Sequence, residues 1–249
     1  MAGHSHWANI SRKKAIIDKK RGKMWSKLSK AIIVAAKMGG GDVDMNLRLR
    51  YAIDAAKAVS MPKENIQRAI KSGIGALDGT NFEEILYEGY GAGGAAVLCE
   101  ILTDNRNRTA GEIRKIFELA DGKLGATGCV AWMFDRKGLF LVPADKVEED
   151  KLLELALDAG ADDVKRVDDK FEITCDPGVL GQVGAALEAN GIAIEGKEIT
   201  RIPTSYVDLD ALAAPKVLAL MERLDDHDDV QSVASNFNIP QEALADSQN

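Results

Sequence analysis

The net charge of this chain reverses part-way along it, and the reversal limits both what each portion can build and what it can touch. Residues 1–75 hold 16 Lys and Arg against 5 Asp and Glu, a net of +11; the remainder hold 16 against 34, a net of −18, so the formal total of −7 conceals a segregation. Asymmetry of this size points to a polyanion as the partner of the basic portion, with the acidic portion keeping the whole soluble and limiting indiscriminate adhesion. A portion so rich in cations folds only if its apolar residues share one face and its charges are left outside.

That condition is met by helical periodicity. Ser11 can cap a short helix from Arg12 to about Lys20, and Gly22 interrupts the pattern as a hinge. From Lys23 to Met38, Trp25, Leu28, Ile32 and Ala36 recur at three- and four-residue spacing, with Lys23, Lys27, Lys30 and Lys37 opposite them. The Gly39-Gly40-Gly41-Asp42 run ends this helix. Asn46 opens another, with Leu49, Ile53 and Ala56 on one face; Pro62 opens a third, with Ile66 and Ile70 on one side and Gly73 as its stop. The expected result is a small basic helical domain over residues 1–78.

Beyond a Gly-, Asp- and Asn-rich linker near residues 76–81 the pattern changes to strands. Expected elements are strands at 85–90 and 95–102, a helix capped through Thr109-Ala110-Gly111-Glu112, and a strand at 129–134. Next come a strand at 139–142, a helix at 146–159 capped by Asp145, strands at 163–167 and 171–175, a helix from Asp176-Pro177 to Gly191, and a strand at 193–202. The order βαββαβ is the ferredoxin-like arrangement. A strand around Tyr206, a helix over 215–224 and a short strand near Val230 are left to complete the earlier sheet. The fold class is therefore α+β in three domains: the helical one, a discontinuous α+β domain of 79–135 plus 204–249, and a ferredoxin-like domain of 136–203 inserted into it.

Composition removes several classes of function. At 46% hydrophobic and 29% charged the 249 residues are those of an ordinary globular protein. Cys99, Cys129 and Cys175 are odd in number and lack metal-ligand spacing, so they read as reduced core residues. With no apolar run long enough for a membrane span or a signal peptide, a cytoplasmic location and no membrane partner are expected. Gly89-Tyr90-Gly91-Ala92-Gly93-Gly94 matches G-x-G-x-x-G, but the residues after it, 95–102, are too short for the helix whose amides would receive a pyrophosphate. It reads as a glycine-rich hairpin. His4 and His6 lack a third metal ligand, and Asp225-Asp226-His227-Asp228-Asp229 reads as a solvated loop. No nucleophile system is evident. Neither an enzyme, nor a cofactor, nor a metal, nor a particular oligomeric state is indicated.

The residues that do carry chemistry are cations. Arg12, Lys13, Lys14, Lys19, Lys20, Arg21, Lys23, Lys27 and Lys30 are interrupted by one acid, Asp18, a density relieved when phosphates lie against it. His4 extends this arm as a polar or phosphate contact, and Trp7 offers a ring for stacking on a base, whereas Trp25 lies on the apolar stripe. Arg106 and Arg108, two guanidiniums at a helix start, are a second candidate contact. No helix-turn-helix with a polar recognition face is evident, so contacts are expected to be mostly to phosphate.

These residues also carry a resemblance. Ala2-Gly3-His4-Ser5-x-Trp7-Ala8-Asn9-Ile10, Lys20-Arg21-Gly22-Lys23, Ala35-Ala36-Lys37-Met38-Gly39-Gly40-Gly41-Asp42, Met61-Pro62-Lys63-Glu64-Asn65-Ile66, Tyr87-Glu88-Gly89-Tyr90-Gly91 and Thr103-Asp104-Asn105-Arg106-Asn107-Arg108-Thr109 are similar to the YebC/PmpR family, to which a mitochondrial translational activator of cytochrome oxidase also belongs. His6 stands where that family usually has Lys, and Val43 where Pro is common. The resemblance implies a helical N-terminal domain followed by two α+β domains. It also implies two alternative functions: a DNA-binding transcriptional regulator, or a ribosome-associated factor that contacts ribosomal RNA and helps translation through difficult sequences such as proline runs.

Overall fold

The computed structural model describes residues 21–75 and 81–239. These residues form seven α-helices and ten strands in two compact units, one from residues 21–130 and 212–233, the other from 131–211 and 234–239.

The first unit opens with three helices, α1 (Arg21–Gly39), α2 (Leu47–Ala58) and α3 (Lys63–Gly73). Gly22 lies inside α1, so the expected hinge is helical there. Gly40, at φ +82°, turns the chain out of α1 in the left-handed region that a side chain disfavours. Asn46 caps α2 by accepting from the Leu49 amide at 3.0 Å, and its Nδ2 donates to the carbonyls of Ala35 and Gly40 at 2.8 Å. The apolar stripes then close on one another: Ile32, Ala36, Leu49, Ile53, Ala56 and Ile66 are buried together, with Trp25 and Leu28 packed at the margin.

The same unit continues with β1 (Glu83–Tyr90), β2 (Ala96–Thr103), α4 (Arg106–Glu118) and β3 (Lys123–Leu124), and is completed from the far end of the chain by α7 (Ala213–Asp225) and β9 (Val230–Ser235). The sheet order is β3-β1-β2-β9. Its core joins Val97, Cys99 and Ile101 of β2 to Ile113 and Phe117 of α4 and Leu220 and Leu224 of α7. Glu88, buried in β1, accepts from the amides of Gly128 and Val130, which fixes the loop after β3.

The second unit is built on β4 (Phe134–Pro143), α5 (Glu149–Asp158), β5 (Ala161–Val167), β6 (Lys170–Cys175), α6 (Leu180–Ala189) and β7 (Gly196–Pro203), with a sheet order β5-β6-β4-β7, antiparallel throughout. That is the ferredoxin-like order for a βαββαβ chain. Phe140, Phe171, Ile173, Leu152 and Leu187 are fully buried. The short strands β8 (Val207–Asp208) and β10 (Phe237–Asn238) pair in parallel.

Three local expectations are corrected. Residues 129–133 are not strand: Ala131–Met133 form a 3-10 turn, and one strand runs unbroken from Phe134, because Asp135, Arg136 and Lys137 pair against Ile202, Arg201 and Thr200 of β7. Asn105, not Thr109, caps α4, since its side chain reaches the Arg108 amide at 3.0 Å and starts the helix a turn earlier. Asp145 sits in a 3-10 turn, and α5 begins only at Glu149.

Candidate nucleic-acid interface

Of the residues expected to touch nucleic acid, His4, Trp7, Arg12, Lys13, Lys14, Lys19 and Lys20 lie outside the described residues, and Arg21 opens α1. Lys23, Lys27 and Lys30 follow at intervals of four and three, so they share one face of α1. That face is less open to solvent than expected, since Lys23 stays exposed but Lys27 and Lys30 are partly buried. Lys23 Nζ donates to the Asp226 carbonyl at 2.8 Å and lies 3.3 Å from the Asp228 carboxylate. Lys27 donates to the Asp225 carbonyl, and Lys30 to the Asp228 carbonyl at 3.1 Å. Asp225 and Asp226 end α7, where carbonyls have no partner within the helix and carry the negative end of its dipole. Lys23 and Lys27 thus cap one helix from another while Lys30 ties down the residues just beyond it, and the 225–229 segment, Asp228 apart, is not the solvated loop its composition implies.

Asp229 is the centre of this contact. Its side chain is 5% exposed, and that of Lys30 15%. Oδ1 accepts from Lys30 at 2.6 Å; Oδ2 accepts from Arg108 at 2.8 Å and lies 2.8 Å and 3.1 Å from the hydroxyls of Thr109 and Thr103. Burial by itself would raise this carboxyl's pKa, but the hydrogen bonds from Lys30, Arg108 and Thr109 outweigh it and hold the group well below the usual carboxylate range. Arg108 also donates to Asp104 at 2.9 Å, so two cations and two carboxylates balance. Arg106, the first residue of α4, is exposed.

His227 is held alongside. Its Nδ1 accepts from the Asp229 amide at 3.1 Å, which leaves Nε2 to donate to Glu112 at 2.9 Å. The ligand atoms of Glu112, His227 and Asp229 all lie within 4.8 Å of one another, a spacing a metal ion can use. The donor set does not fit one, because both Asp229 oxygens already accept from cations or face hydroxyls, and Lys30 and Arg108 would repel a dication. A cleft of about 730 Å³ opens beside these residues, with Lys23, Arg108 and Lys115 facing Asp104, Glu112 and Asp228 across it. Its mixed signs suit neither a simple anion nor a simple cation.

The glycine run after β1 is a hairpin turn leading into β2, with Tyr90 paired to Ala96, and no helix follows it. Gly89 is required there because a Cβ would come within 2.6 Å of the Lys123 carbonyl and the Phe117 ring. Trp25 belongs to the core margin, its Nε1 donating to the Val59 carbonyl at 3.2 Å. Sequence reasoning missed Asp229, Thr103, Thr109 and Glu112 as a group. The signal available was a Thr at each end of the 103–109 turn; what it faces lies more than a hundred residues away.

Two family models match this architecture: the TACO1/YebC N-terminal domain over residues 5–76, and the TACO1/YebC second and third domain over residues 82–237. The chain belongs to the TACO1/YebC family. It is 56% identical over 247 residues to a probable transcriptional regulatory protein of Rhodopirellula baltica, covering 99% of this chain and 100% of that one. A probable transcriptional regulatory protein of Natranaerobius thermophilus is 54% identical over 242 residues, 96% and 97% of the two chains. The crystal structure of a conserved hypothetical protein, Aq1575, from Aquifex aeolicus superposes with a TM-score of 0.85 at 49% identity, covering 95% of this chain and 98% of that one. Among the described residues, no helix of this TACO1/YebC chain is long and apolar enough to cross a membrane.

Proposed function

We propose that this protein is a nucleic-acid-binding regulator of the cytoplasm, acting on DNA as a transcriptional regulator through its basic helical N-terminal portion. The observation that carries the reading is the net +11 of residues 1–75 on a chain whose total is −7. A portion of that charge gains most from a partner that presents regularly spaced phosphates. Relatives that match over the full length bear the name probable transcriptional regulatory protein, which supports a regulatory role. His4, Trp7 and the cations from Arg12 to Lys23 are assigned to this contact with Lys27, and Arg106 and Arg108 are a second candidate contact. Lys30, through its tie to Asp229, orients α1, which carries Arg21, Lys23 and Lys27.

A second reading, a ribosome-associated translation factor, draws on the family's inclusion of a mitochondrial translational activator. Ribosomal RNA offers the same phosphate chemistry as DNA. Sedimentation of cell extract separates the two. Migration of the protein away from ribosomes and its loss from nucleoid fractions after DNase is the expected result; co-migration with ribosomes that survives DNase would move the assignment to translation.

A further inference from the structure

The cations of α1 and those of α3 are used differently. Lys23, Lys27 and Lys30 each donate to the 225–229 segment. On α3, Ile66 and Ala69 face the core, and Lys63, Gln67, Arg68 and Lys71 are exposed. Positions 63, 67 and 71 follow one line along the helix, and 64 and 68 lie beside it. None of Lys63, Gln67, Arg68 and Lys71 has a side-chain hydrogen bond or ion pair with another described residue. Glu64, the one acid of α3, stands in its first turn, where the helix dipole favours a carboxylate. Four donors on one face of a helix, without partners among the described residues, are what a phosphate-lined groove accepts.

The surroundings of α3 strengthen the case. Four residues, 59–62, join it to α2; Met61 is buried in that turn and Trp25 fastens it through the Val59 carbonyl. In chain order this is a helix-turn-helix whose second helix has a polar outer face, which corrects the expectation that no such motif is evident. From Lys63 to Lys71 the stripe spans about 12 Å at 1.5 Å per residue, comparable with the width of a DNA major groove. Gln67 lies in its middle, and the glutamine amide is suited to a paired contact with adenine.

We propose that the outer face of α3 is a contact surface for duplex DNA, with Lys63, Arg68 and Lys71 against phosphates and Gln67 toward base edges. The inference rests on the nucleic-acid reading above and locates its surface. The test is the affinity of the full chain for a random-sequence DNA duplex across a salt series. Arg68→Ala with Lys71→Ala lowers the slope of log K against log salt by about 1.8, the value for two lost phosphate contacts on B-DNA. Affinity at physiological salt falls by at least tenfold. Lys146→Ala with Lys151→Ala, the same change of charge on exposed residues elsewhere, leaves the slope as it is. Both α3 positions are exposed and alanine favours helix, so circular dichroism of the variant matches the parent. An α3 variant with the parental slope overturns the inference while leaving the nucleic-acid reading intact. A parent that binds neither duplex DNA nor ribosomal RNA overturns both. Binding of ribosomal RNA alone, abolished by the α3 substitutions, overturns the assignment to DNA.

Discussion

At Asp229, burial opposes the charge and four donors secure it, so the residue has a large effect on stability for its size. Asp229→Asn keeps the shape but leaves Lys30 without its counter-charge and Arg108 with Asp104 alone, and loss of one member of a mostly buried pair such as Lys30–Asp229 costs about 3 kcal/mol. The unfolding midpoint of the variant at pH 7 is expected to fall accordingly, and a variant as stable as its parent would contradict the account. The pH dependence has a fixed sign. A carboxyl whose pKa is lower in the folded state contributes stability in full above its unfolded value of about 3.9, and loses it as pH falls through the folded value. Acid titration of the parent therefore shows a loss below about pH 4 that Asp229→Asn lacks. Two of the cysteines are held as thiols for a related reason: burial pushes the Cys175 thiol up to about 11 and raises that of Cys99 further, whereas Cys129, expected in the core, is only partly buried.

Among the elements, α1, α2 and α3 were legible almost to the residue, because their apolar spacing and the Gly and Pro punctuation agree with the packing that stabilises them. The βαββαβ order was legible for the same reason, since Leu139–Val142 is an apolar run and Phe171, Ile173 and Cys175 alternate with polar residues. Legibility failed where a polar segment is held by a distant partner. Asp135-Arg136-Lys137 reads as a loop, yet β7 pairs with it; Asp225–Asp229 reads as solvated, yet α1 covers it. No local pattern encodes a contact across some two hundred residues. The turn between α2 and α3 is one place where a single bond can be tested. Trp25→Phe removes the Nε1 donor to Val59 and some packed area, for a cost of about 1–2 kcal/mol, seen as a lower denaturation midpoint with an unchanged m-value. An equal midpoint would show that the turn holds without it.

For the whole molecule, the segregation of charge is only partly preserved by folding. The acidic portion supplies the carbonyls and the two carboxylates that take up Lys23, Lys27 and Lys30, so a share of the basic portion's charge is used internally, while α3 keeps its own cations outward. The candidate site was therefore legible as a net charge, but not as a surface, because which lysines remain available is decided by tertiary contacts. The central claim is that this TACO1/YebC chain binds phosphate-rich nucleic acid through cations. Its most direct test is the affinity of the intact protein for duplex DNA and for ribosomal RNA as salt is raised. The account predicts a linear fall of log K with log salt, with a slope of about 0.9 per phosphate neutralised on the duplex and about 0.7 on single strands. An affinity that does not change with salt would contradict it.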